Sequence, residues 1–194
     1  MVGAESTGKS QLARELALHF GGACVDEVLR EWCLREGRVP RPEELLQVAM
    51  EHERRVAAAA RENTFVVSDA GPLMVAIYGG LLFEDHALFR FAIERQAACT
   101  TLVTGLDLPW VADGLQRDGA QSREDVDALV RGILRKAAIP FQVVYGQGER
   151  RLRSALAALG AGEPLSERES SRTWSCEKCS DPDCEHKLFT RLGL

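Results

Sequence analysis

The sequence has no apolar run approaching the roughly 20 residues that a membrane-spanning helix needs, which argues against a membrane role. Its N-terminus lacks the basic start and apolar stretch of a secretory leader, so a cytoplasmic location is expected. There is no surplus of basic charge: Lys plus Arg number 24 against 29 Asp plus Glu, a net charge of −5. That balance argues against broad, sequence-independent binding to nucleic acid, because such binding needs a basic surface. No internal repeat is present, which excludes a solenoid. Cysteines are few and unevenly placed. Cys24, Cys33 and Cys99 stand among apolar neighbours and read as small core residues. Cys176, Cys179 and Cys184 cluster near the C-terminus and, in a reducing compartment, read as metal ligands.

What remains is a soluble globular composition, 45% apolar and 27% charged over 194 residues. That suits one domain with a small appendage. Helix-like and strand-like stretches alternate, which predicts an α/β fold with a mainly parallel sheet. Leu12, Leu16, Ala17 and Phe20 share one face of a helix from Ser10 to Phe20, stopped by Gly21-Gly22. Ala23-Cys24-Val25 is a short buried strand ending at Asp26-Glu27. Pro42 opens a helix that runs to about Arg61. Thr64 to Ser68 is a strand that ends at Asp69, and Glu84 to Ala98 is expected to be helical. Thr101 to Leu106 is a strand ending at Asp107. Ser122 and Asp125 have the spacing of a helix start, followed by a stripe of Val126, Leu129, Val130, Ile133, Leu134 and Ala137. Phe141 to Tyr145 is the last strand and Glu149 to Leu159 the last helix.

The segment Gly3-Ala4-Glu5-Ser6-Thr7-Gly8-Lys9-Ser10 has the spacing G-x-x-x-x-G-K-S. Glycines let such a loop wrap so that successive backbone N–H groups point at phosphate oxygens. The helix that opens at Ser10 adds its positive end. Lys9 then reaches the β- and γ-phosphates of ATP, the Ser10 hydroxyl ligates Mg²⁺, and Gln11 borders the site. An amphipathic helix follows directly, as the mechanism requires. A buried strand should precede the loop, yet only Met1 and Val2 do, so the central strand of a 2-3-1-4-5 sheet is expected to be missing and the chain to be truncated.

Other candidates lie at strand ends, where open α/β sheets gather ligands. Asp26, Glu27, Asp69 and Asp107 are the acidic positions there. Asp69 reads as a metal-holding acid, or as a helix cap or turn residue. Glu27 reads as a base for an attacking hydroxyl, or as the partner of Arg30 in an i,i+3 ion pair. The stretch from Pro109 to Gln121 is polar, contains glycine and reads as a lid. Arg117 and Arg123 would close on the transferring phosphate, and Trp110 would stack on a flat ring; otherwise Trp110 packs in the core and the arginines are solvated.

Four stretches together, Gly3 to Ser10, Glu27-x-x-Arg30, Asp69-Ala-Gly-Pro-Leu-Met and Pro109-Trp-Val-Ala-Asp-Gly-Leu-Gln-Arg117, resemble the AAA-type ATPase/kinase domain of NadR-like proteins. The resemblance covers about residues 1–159, and the Pro-Trp-Val-Ala-Asp-Gly lid is its most specific part. It implies a P-loop NTPase sandwich of three layers. It further implies ATP-dependent phosphorylation of a nucleoside-like acceptor, with nicotinamide riboside foremost. On that carry-over Lys9 and Ser10 bind phosphate and Mg²⁺, Glu27 and Asp69 serve the acceptor hydroxyl or the metal, and Arg117 is the lid arginine.

Residues 160–173 are small and polar and read as a linker. Beyond them, Cys176, Cys179, Cys184 and His186 provide four ligands within eleven residues, which suits a closed, structural tetrahedral Zn²⁺ site. A reduced cysteine cluster or an iron–sulfur centre are the other readings. Such a module, 174–194, leaves room for a protein partner. Two functions therefore stand side by side: a small-molecule kinase, and a regulatory nucleotide switch whose zinc module contacts a protein.

Overall fold

The computed structural model describes residues 1–109 and 120–162, apart from the side chains of 120 and 121. Its elements are α1 (Lys9–His19), β1 (Ala23–Val25), α2 (Val28–Glu36), α3 (Pro42–Glu62), β2 (Val66–Ser68) and α4 (Pro72–Phe83). They continue as α5 (Phe89–Ala97), β3 (Thr101–Thr104), α6 (Ala120–Lys136), β4 (Phe141–Val144) and α7 (Glu149–Ala158). None of the described helices is long and apolar enough to cross a membrane.

The strands form two parallel pairs. In one, Ala23 is opposite Val66 and Val25 opposite Ser68; in the other, Thr101 faces Phe141 and Thr104 faces Val144. Met1 and Val2 link the pairs. The Met1 amino group donates to Ser68 O at 2.6 Å and Ala70 N–H donates to Met1 O, while Val2 N–H donates to Leu102 O and Thr104 N–H to Val2 O. Two residues thus stand where a missing strand is expected. They satisfy backbone groups that would each cost about 1–3 kcal/mol if left buried and unpaired.

Strand alternation divides the core into two faces. Val2, Val103 and Val143 pack with α3, α4 and α6 residues such as Val48, Leu73 and Val130. Met1, Leu102 and Val144 point the other way, onto Leu12 and Leu16 of α1 and Ala155 and Leu156 of α7. The result is helices on both faces of parallel strands, three layers in all.

Most elements follow the apolar pattern, with four differences. Glu84 does not open a helix. It has φ 55° and ends α4, and the following helix starts only at Phe89. α4 itself carries apolar residues around its whole circumference, with Leu73 to Ile77 all buried, so no 3.6-residue stripe marks it. Ser122 lies inside α6, which already begins at Ala120. Cys99 is exposed and Cys24 and Cys33 are half-buried, so Cys99 is not a core residue. Elsewhere local signals are obeyed. Gly21, in the left-handed region at φ 61°, ends α1. Glu44 reaches back to the Arg41 N–H at 2.7 Å to cap α3.

Candidate functional site

The loop from Gly3 to Lys9 connects the inner residues Met1–Val2 to α1, and its shape depends on two neighbours. Gly3 has φ 143°, and a Cβ there would lie 2.4 Å from Thr104 Oγ1. No residue with a side chain fits that approach. Thr7 is buried, and its hydroxyl bonds to Ala4 O and to the Thr104 hydroxyl, both at 2.7 Å. The end of β3 therefore fixes both sides of the loop. Ser6 also adopts a positive φ, 51°, and Gly8 at φ 73° gives way to α1.

Above the loop is a cavity of about 540 Å³, lined by Ser6, Thr7, Gly8, Lys9, Ser10, Gln11 and Arg30, with Leu108, Pro109 and Gln147 across from them. The start of α1 faces it, so its unpaired N–H groups and positive end favour an anion. Lys9 is only 8% exposed and donates to Ala4 O at 2.6 Å. Burial pushes its ammonium pKa down, while the nearby charges of Glu27 and Asp69 oppose that shift.

The acidic positions at the strand ends separate into distinct roles. Asp26 is at the surface, paired with Arg14 at 2.8 Å. Asp107 accepts from Arg151 and from Gly146 N–H, so it holds a structural cation. Glu27 precedes α2 with a nearly buried carboxylate, engaged by Arg30 at 3.1 Å, and Arg30 lines the cavity. Asp69 is 1% exposed, and its Oδ1 has no hydrogen-bond partner among the described residues. An orphaned buried carboxylate oxygen is costly unless something occupies it. Ala70, directly after it, is held in the left-handed region at φ 47°, a strain that tends to collect at functional sites.

Several residues near the site gave no signal in the sequence. Arg151, 4% exposed, donates to Thr7 O, to Gly146 O at 2.7 Å, to Gly105 O at 3.5 Å and to Asp107. Burial pushes its pKa down, with the Asp107 charge opposing. The one available hint is its place one turn before the buried Ala155 of α7, an arginine on an apolar stripe. His52 of α3 is buried beside Ser68, with Nε2 2.7 Å from Ser68 Oγ. Tyr78 of α4 donates to Glu5 in the loop at 3.3 Å. Arg123, unlike these, is singled out by the sequence as a phosphate-closing or a solvated arginine; it is 6% exposed and so not solvated, donates to Leu108 O at 2.7 Å and has its Nε buried without a partner among the described residues.

The structure thus gathers Gly3, Ala4, Glu5, Ser6, Thr7, Gly8, Lys9, Ser10 and Gln11 at one strand end, with Glu27 and Asp69 close enough to act electrostatically on Lys9. Trp110, Gln116 and Arg117 of the lid lie outside the described residues, as do Cys176, Cys179, Cys184 and His186.

No curated protein matches the sequence. Among solved structures, the crystal structure of NadR protein in complex with NR is similar, with a TM-score of 0.65 and 19% sequence identity. The similarity covers 85% of this chain and 52% of that one, so the chain spans about half the length of that protein. It shows a common fold. A family model described as an AAA domain matches residues 1–151. With its phosphate-binding loop at the head of a parallel α/β sandwich, this chain belongs to that AAA domain family.

Proposed function

We propose that this protein transfers the γ-phosphoryl group of ATP to a hydroxyl of a nucleoside-like small molecule, with nicotinamide riboside the leading acceptor. The observation that carries this reading is the buried Lys9 on the wall of the cavity over the phosphate loop, with the charges of a buried carboxylate, Asp69, and a half-buried one, Glu27, acting on its ammonium. A loop that only bound nucleotide would need the cation and the N–H groups; the carboxylates suit metal and proton handling. The similar NadR structure is a complex with NR, which supports the choice of acceptor.

The residues fit Mg²⁺. The orphaned Asp69 Oδ1 is a hard oxygen donor whose charge reaches Lys9, and Ser10 lines the cavity next to Lys9. When bound, Mg²⁺ neutralises charge on the β- and γ-phosphate oxygens. Backbone N–H groups of residues 6–10 hold the β-phosphate, and Lys9 stabilises charge that develops on the transferring group. The acceptor oxygen attacks the γ-phosphorus and the bond to the β–γ bridging oxygen breaks. ADP leaves, and the acceptor proton passes to the Glu27 carboxylate, which Arg30 orients. The resemblance gives Arg117, outside the described residues, the role of neutralising charge on the transferring phosphate.

A second reading is a nucleotide switch with a protein-binding tail. It is favoured by the ligand spacing of Cys176, Cys179, Cys184 and His186, which a metabolic kinase does not need. The test is ADP release from Mg-ATP with and without a panel of nucleosides, with Lys9→Ala as the blank. Stimulation by one nucleoside of at least tenfold, lost in the blank, identifies a kinase and its acceptor. Slow hydrolysis indifferent to every nucleoside overturns the kinase reading in favour of the switch.

A further inference from the structure

Arg151 is 144 residues from Thr7 in sequence, yet its guanidinium lies against that residue's carbonyl. Its other donors reach Gly105 and Asp107 after β3 and Gly146 after β4. One buried planar cation therefore joins three strand-end loops. Resting on the nucleotide-binding part of the proposed function, we propose that Arg151 is a positioning residue that holds the phosphate loop and the opposite rim of the cavity in register for a nucleoside triphosphate.

The argument starts from the peptide bond. In a trans peptide the C=O and the next N–H point to opposite sides of one plane. The Thr7 carbonyl turned onto Arg151 therefore turns the Gly8 N–H away from Arg151, and both Thr7 and Gly8 line the cavity. The same guanidinium anchors Asp107, which is followed by Leu108 and Pro109 on the far rim, and Gly146, which is followed by Gln147. Crowding makes the arrangement specific. A Cβ at Gly8 would stand 3.0 Å from Leu108 Cδ1 and 3.7 Å from the Arg151 guanidinium. A lysine keeps the charge but has no rigid fork, so it cannot serve three loops at once.

Arg151→Met and Arg151→Lys are compared with wild type for Mg-ATP affinity by calorimetry, for thermal melting, and for KM of ATP against kcat. Arg151→Met is expected to raise the Kd and KM for Mg-ATP at least tenfold. Arg151→Lys is expected to raise them by several-fold while remaining folded, and kcat at saturating ATP should fall less than KM rises. Variants that melt lower yet keep the wild-type Kd and KM overturn the inference, because Arg151 is then only structural. If Arg151→Met does not fold, Arg151→Lys decides: an unchanged Kd overturns the proposal. Wild-type protein that binds no nucleotide overturns the functional reading and this inference with it, whereas binding indifferent to Arg151 overturns the inference alone.

Discussion

Acidification should destabilise this protein through His52 before it protonates most carboxylates. His52 is 1% exposed on α3, with Nε2 bonded to Ser68 Oγ and Nδ1 buried without a partner among the described residues. Adding a proton puts a charge into a dry site, and the doubly protonated ring then has an Nδ1–H with no acceptor among the described residues. Burial, the main cause, and the neighbouring Met1 amino group bring the pKa down from 6.5 to about 4. The folded pKa lies below the unfolded one, so the unfolded chain binds the extra proton first. The stabilisation is complete above about pH 6.5 and is lost as pH falls toward 4. The gap amounts to about 3 kcal/mol in full, of which about 2 kcal/mol is gone at pH 5. That is a large part of the roughly 5–15 kcal/mol available to a folded domain. Urea unfolding at pH 7.5 and pH 5.0 reads it directly, with His52→Gln as the reference that cannot titrate. The Met1 amino group, whose pKa burial also lowers, is common to both proteins and cancels in the difference. Wild type should lose about 2 kcal/mol more than His52→Gln between the two values. Equal losses would refute the reasoning.

Two further outcomes are expected. Ala138, exposed after α6, is held at φ 53°. Replacing it with glycine should relieve that conformation and stabilise by about 0.5–1 kcal/mol, seen as a melting point about 2 °C higher. From the sequence of the tail, one equivalent of Zn²⁺ per chain is proposed, measured by metal analysis. It should be lost from a Cys176→Ser, Cys179→Ser double variant whose ATP binding is unchanged, as expected of a structural site.

The phosphate loop and α1 were legible because their signal is local. Glycine spacing and a helical stripe are both properties of a few adjacent residues, and Leu12, Leu16 and Ala17 are buried as their spacing predicts. Short apolar runs gave the strands for the same reason. α4 was not legible, because a helix apolar on every side has no polar face to set its period. Nor were the roles of Asp107 and Arg151, since an ion pair across 44 residues exists only once β3 and β4 lie side by side. Asp69 and Asp107 look alike in sequence, each ending an apolar strand. Their difference is a matter of neighbours: one has a guanidinium on its oxygens and the other has an oxygen with none among the described residues.

Met1 and Val2 are a seam two residues wide between the strand pairs, and Val2 is one peptide away from Gly3. Opening the seam and loosening the phosphate loop are therefore largely one local unfolding event. A ligand clamped in the loop would close that event by mass action. Deuterium uptake should register this far from the phosphates, at the amides of Val2, Ala70 and Thr104, whose hydrogen bonds form the stitching. The sheet would then report occupancy of the loop by the rate at which its centre exchanges with water.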